Sequence, residues 1–243
     1  MITVGRLTAV ELRKMADTRA GKWLLALAGL ISAGIVTLVL VAGEPGDLTL
    51  AGLYYPTLIP LSIFLPIVGI LSVTTEWTQR TGLTTFALVP RRHRVAVAKL
   101  LAALLLTVLS AAIGLAFAAL GNLIGVVAAD GAGSWRLTAA DYGKGLLFLV
   151  LNMLIAVSFG MLLMNSASAI VLVLLLPIVW SIVTEMVRAV RNVAEWLDIS
   201  VTSGLLLEHG ATQEWARLAV SAAVWILLPT IAGFVRLARR EIS

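Results

Sequence analysis

Apolar positions in this chain come in long unbroken blocks, and charged positions are confined to the short intervals between them. Uncharged runs extend from Trp23 to Ala42, about Leu53 to Thr75, Leu100 to Ala129, Gly145 to Thr184 and about Leu218 to Val235. A bilayer core about 30 Å thick is crossed by roughly 20 helical residues, so each run predicts at least one transmembrane helix. The run from Gly145 to Thr184 is about twice that length, with Asn165, Ser166 and Ser168 as its polar break, and it predicts a hairpin of two spans. The expectation is an all-α polytopic membrane protein, residues 1–243 forming one transmembrane domain of six helices. The second span contains Pro56, Pro60 and Pro66, tolerated in a membrane helix when neighbours satisfy the freed carbonyls. The third exceeds the bilayer thickness at about 1.5 Å per residue, so it tilts or projects.

Ahead of the first run, residues 1–22 predict an N-terminal interfacial helix. Val4, Leu7, Leu12, Met15 and Ala16 share one side of a helical wheel, with Arg6, Arg13 and Asp17 opposite, the pattern of a helix lying along headgroups. Glu11 and Val10 break it. The five cationic groups before the apolar run and the lack of a small-residue cleavage site read as a retained segment, not a signal peptide.

Composition removes water as the solvent: of 243 residues 60% are hydrophobic and 13% charged, and mean hydropathy is +1.02, far from a soluble domain. Charge then orients the chain. Arg6, Arg13, Lys14, Arg19 and Lys22 precede span one; Arg80, Arg91, Arg92, Arg94 and Lys99 follow span two; Arg236, Arg239 and Arg240 follow span six. These are 13 of the 18 cationic residues, and with six spans they share one side. The positive-inside rule makes that side cytoplasmic, so both termini face the cytoplasm of a multi-pass protein in the cytoplasmic membrane.

The spans are almost bare of ionisable groups. Glu185 lies near the end of span five, and His93 and His209 fall in connecting segments, so no intramembrane proton relay or metal spacing is visible. With no cysteine there is no thiolate chemistry. The Gly21-Lys22 pair is followed by Trp23 and is not part of a phosphate-cradling P-loop. The expectation is a chain without catalytic, cofactor or metal residues, not itself an enzyme. Ser62, Thr107, Ser110, Asn122, Asn152, Ser158 and Ser181, inside the spans, read as interhelical hydrogen bonds, and Gly121 with Gly125 as a close packing surface. So few polar groups favour an amphipathic or lipid-like cargo. Outside, residues 188–216 mix Trp196, Leu197, Ile199 and Leu205 to Leu207 with charges, predicting an external amphipathic segment, interfacial or re-entrant.

Residues 75–99 carry the densest pattern. Leu83 to Val89 form a short helix-compatible stretch ended by Pro90 and followed by a cationic group, with Leu83, Phe86 and Leu88 apolar in a loop unless a partner covers them. Glu76, Arg80, Thr81, Pro90, Arg91, Arg94 and Lys99 together resemble the segment between spans two and three of ABC-2 type transporter permeases. They resemble especially that segment of multidrug and antibiotic-resistance permeases of high-GC Gram-positive bacteria. Glu11-Leu12-Arg13-Lys14, then Thr18-Arg19 and Trp23, is similar to the entry of the same family.

The resemblance implies the membrane subunit of an ATP-driven exporter of a drug, antibiotic, peptide or lipid. Its partners would be a separate ABC ATPase subunit carrying ATP and Mg, a second identical or homologous permease, and membrane lipid, with no nucleic acid. It also implies a coupling helix over Gly82 to Val89. Glu76, Arg80, Thr81, Leu83, Thr84, Phe86, Leu88 and Arg91 would contact the ATPase, and Glu11, Arg13 and Lys14 would couple through the interfacial helix. The turn Asn165 to Ser168 would be a second cytoplasmic contact. The competing readings are a gradient-driven transporter and, more strongly, a non-transporting scaffold, immunity or sensor subunit that binds an external peptide.

Overall fold

The computed structural model describes residues 3–44, 46–78, 92–128, 133–187, 195–208 and 214–239. The regular elements among these residues are all helices: α1 Val4–Asp17, α2 Arg19–Ala42, α3 Leu50–Thr78, α4 Arg92–Ala128, α5 Ala139–Leu163, α6 Ser166–Met186, α7 Ile199–Gly204, α8 Trp215–Ala222 and α9 Leu228–Arg239. A π-helical turn, Ala223–Leu227, joins α8 to α9. Six crossings are long and apolar enough to span a membrane: α2, α3, α4, α5, α6 and the joined α8–α9 unit. The chain is a multi-pass membrane protein.

The α5–α6 hairpin forms where the polar break predicted it. Met164 ends α5 in the left-handed region at φ 53°, and the Asn165 side chain caps α6 by accepting the Ser168 N–H at 3.0 Å. A side-chain oxygen of this kind satisfies an amide that the first turn leaves without a helical partner.

Burial sorts the crossings. In α3, 61% of the most apolar stretch is buried within the chain, against 6% in α6, so α3 is the axis and α6 a peripheral helix with Leu175, Ile178, Val179 and Ile182 on its outside. Leu53, Tyr54, Leu58, Leu65, Met153 and Val157 are almost completely enclosed around that axis. Lipid gives little hydrophobic drive for helices to associate, so close approach depends on small residues. Gly69 of α3 would place a Cβ 2.5 Å from Met153 Sδ, and Gly160 of α5 would place one 2.6 Å from Val73 Cγ2. Gly121 meets Val36 of α2 in the same way, which agrees with the packing role expected of it. The three prolines of the second span lie within α3, which runs as a single helix.

Four of the seven polar residues singled out inside the spans depart from expectation. Ser62, Thr107, Asn152 and Ser181 return their hydrogen bonds to carbonyls of their own helices. Ser158 bridges helices, meeting Thr230 of α9 at 2.7 Å. Asn122 is fully buried, with no partner for either side-chain atom among the described residues. A hydroxyl or amide can reach the carbonyl one turn back without a neighbour, a possibility that composition does not separate from bridging.

The π-turn sits directly before Pro229, whose ring lacks an N–H and crowds the carbonyl four residues earlier, that of Trp225. Widening the helix by one residue per turn relieves that contact, and the Leu228 N–H bonds the Ala223 carbonyl five residues back. At the same end of the bundle α7 folds onto the crossings, and Leu206 is buried against Leu151, Leu218 and Ile226.

Candidate functional site

Of the residues singled out in the sequence, Glu11, Lys14 and Lys99 come together at the end of the bundle that carries α1. Thr3 caps α1 by accepting the Arg6 N–H, and Thr18 serves both sides of the joint that follows. Its N–H bonds the Lys14 carbonyl at 3.2 Å, and its hydroxyl accepts the Gly21 N–H at 3.1 Å to start α2. A side chain on Gly21 would collide with the Met15 carbonyl, so the corner is as tight as a glycine permits.

That corner lays α1 against α4 and the bases of α2 and α3. Met15 is buried and Val4, Leu7, Leu12 and Ala16 are partly buried, while Arg6, Arg13 and Asp17 face outward, as the wheel predicts. Val10 is exposed. Glu11, which breaks the apolar arc, is on the packed side and 5% exposed. Its Oε2 accepts a hydrogen bond from Lys99 Nζ at 2.7 Å, and its Oε1 one from Lys14 Nζ at 2.8 Å. Lys99, itself 6% exposed, also donates to the Ser72 carbonyl at 2.7 Å. A buried charge is tolerated when paired and hydrogen-bonded, and this arrangement supplies both. Burial pushes the Glu11 carboxyl up, but the ammonium groups of Lys99 and Lys14 outweigh it and hold the group below its ordinary range.

One cluster thus ties three elements: α1 through Glu11, the end of α3 through Ser72, and the start of α4 through Lys99. Two residues further along α3, Thr74 meets Ser166 at the start of α6 at 2.7 Å, which brings the Asn165 to Ser168 turn to the same end. Arg236 of α9 donates to the Leu162 carbonyl nearby on α5. Of the N-terminal coupling candidates, Glu11 is internal, Lys14 is half-exposed beside it and Arg13 points away. Glu76 belongs to α3 by its backbone. Arg80, Thr81, Leu83, Thr84, Phe86, Leu88 and Arg91 lie outside the described residues.

Lys99 was visible in the sequence as the end of the 75–99 pattern, but its partner was not. The signal was Glu11 itself: an acid at a position the helical period assigns to the packed face needs a buried cation. The Ser72 carbonyl left no sequence signal, since any residue type supplies one. The arrangement can transmit force, because α1 and the two helices that flank residues 79–91 are fastened at one point. No group of three or more metal-ligating side chains occurs among the described residues. No protein-family model matches the chain, and comparison with curated proteins finds no match to it.

Proposed function

We propose that this chain is the membrane subunit of an ATP-driven exporter of the ABC-2 type, working with a separate ATPase subunit and a second permease subunit. Supporting this reading is the junction of Glu11 with Lys99, 88 positions apart in sequence and 2.7 Å apart in space. Each belongs to a different segment of the resemblance, and together they brace the ends of the helices that lead into and out of residues 79–91. A loop that receives force from a motor needs such bracing; a solvated connection does not.

In this reading both termini and residues 79–91 face the cytoplasm, where 13 of the 18 cationic residues lie, and α1 rests along the headgroups. Phe86 and Leu88 seat in a groove of the ATPase, where a buried aromatic commonly accounts for ≥2 kcal/mol of binding. ATP drives the two motor subunits together, the coupling segments follow, and the braced ends of α3 and α4 carry the motion into the bundle. The cargo is amphipathic or lipid-like.

The test is Phe86→Ala in the complex co-purified with its ATPase. The variant inserts normally in the membrane but loses substrate-stimulated ATP hydrolysis. Unchanged stimulation would remove residues 79–91 from the coupling path, and ATP turnover by the purified chain alone would overturn the division of labour.

A further inference from the structure

At the opposite end of the bundle from Glu11, a cavity of about 370 Å³ opens between α5, α6, α7 and the π-turn. Its volume falls at the small end of ordinary ligand pockets, roughly 300–1,000 Å³. Such a space suits one alkyl chain or a one- or two-ring body, not a whole phospholipid. The walls are apolar and aromatic, with Trp180 and Trp225 edge to face at 6.0 Å between centroids. The polar lining comes from α7 and its cap, Asp198, Ser200 and Ser203, with Asn152 on α5.

Asp198 gives the cavity its chemistry. It is 7% exposed, and Oδ1 accepts both the Ser200 N–H at 2.9 Å and the Val201 N–H at 3.1 Å. Among the described residues nothing hydrogen-bonds Oδ2. Among the described residues Arg217, on the neighbouring α8, is committed elsewhere, to Glu195 at 3.2 Å and Glu214 at 2.6 Å. Two donors lining the cavity are already engaged: Asn152 Nδ2 bonds the Phe148 carbonyl and Trp225 Nε1 the Leu197 carbonyl. Pro177 has no N–H to offer the carbonyl of Val173, and both residues line the cavity. Trp180 Nε1 is a buried donor without an acceptor among the described residues, and an oxygen in a ligand's body would satisfy it. An apolar chamber with one buried carboxylate, engaged through a single oxygen, is complementary to an apolar body carrying a positive donor.

We infer that this cavity binds a small cationic amphiphile, its ammonium head on Asp198 and its apolar body between Trp180, Trp225 and Phe148. The inference concerns binding by this chain and stands whether or not an ATPase works with it.

The probe is decylammonium, compared with decanol and decanoate below their aggregation concentrations. Binding is measured by calorimetry on the chain in phosphatidylcholine nanodiscs, with empty discs subtracted. Decylammonium binds at least tenfold more tightly than decanol, and decanoate binds weakest. Asp198→Asn removes that preference and leaves decanol unchanged, because asparagine caps a helix as well as aspartate and preserves α7. Ser203→Trp, which fills the chamber, abolishes saturable binding of all three. Equal binding of decylammonium and decanoate would overturn the inference, as would an undiminished preference in a folded Asp198→Asn. Should Asp198→Asn fail to fold, the ranking of the three probes on the unaltered chain decides.

Discussion

Glu11 at one end of the bundle and Asp198 at the other are both buried carboxylates, each within a tenth of complete enclosure. They are held in opposite ways. Glu11 has a lysine on each oxygen, and one of those lysines is shared with a main-chain carbonyl. Asp198 engages backbone amides through one oxygen and lines a cavity, with no described group on the other. A charge that is fully paired has nothing left to recognise; it fixes how elements dock. A charge that is half-paired and bordered by space retains affinity for an outside partner. In the proposed function the α1 end carries mechanical continuity and the far end recognition, although both carboxylates belong to short segments that sequence alone would call loop or interface.

The largest expected effect comes from opening the closed end. Lys99→Met leaves the Glu11 carboxylate buried with Lys14 alone. Removing one member of a buried pair typically costs about 3–5 kcal/mol. Because Lys14 remains, the loss falls toward the lower part of that range and concentrates in α1, read as faster proteolysis between Val4 and Arg19 and a lower midpoint in thermal unfolding. Replacing both partners, Glu11→Leu with Lys99→Met, recovers most of it, since a buried pair exchanged for apolar groups is often neutral or better. If the single variant is as stable as the parent, the pair does not hold α1 and the contrast between the ends fails.

A smaller effect sharpens the same contrast through pH. The Glu11 carboxyl is held below its ordinary range, so the folded state binds its proton less readily than the unfolded state does. The resulting stabilisation is complete above the unfolded value, about 4.3 for a glutamate, and is lost as pH falls through the lower folded value. The stability gap between the parent chain and Glu11→Gln is therefore constant from neutrality to about pH 5 and closes in more acid solution. A gap that instead widened on acidification would mean that burial, not the lysines, dominates at Glu11.

The sequence made the bundle legible because the bilayer imposes one simple rule, an apolar run of fixed length per crossing. Even the hairpin inside Gly145 to Thr184 followed from length and a polar break. What stayed hidden were pairings that depend on depth and rotation. Glu11 registered only as a flaw in an amphipathic helix, and the seven polar residues in the spans suggested bridges where Ser62, Thr107, Asn152 and Ser181 bond their own helices. Asp198 carried no signal in the sequence, because its significance lies in the space next to it, which α5, α6 and the π-turn create from distant parts of the chain. Residues 79–91, the densest message in the sequence, lie outside the described residues, so their role rests on the pattern itself and on the brace at its two ends.

The smallest effect concerns the roof of the far end. Thr202 of α7 and Ser221 of α8, both buried, share a hydrogen bond of 2.8 Å, and Thr202 also bonds the Asp198 carbonyl at 2.9 Å. Thr202→Val keeps the shape and removes the hydroxyl with both of these bonds, about 1 kcal/mol for each, while the Asp198 carbonyl keeps the Thr202 N–H. Ser221 retains a partner in the Leu218 carbonyl, so no orphan is created and the loss stays near that figure. If the far end is a recognition site whose roof must hold Asp198 in place, Thr202→Val weakens decylammonium binding several-fold while the global unfolding midpoint hardly moves. A variant that lowered the midpoint as much as Lys99→Met would show instead that α7 is part of the structural frame, and the two ends would differ in degree only.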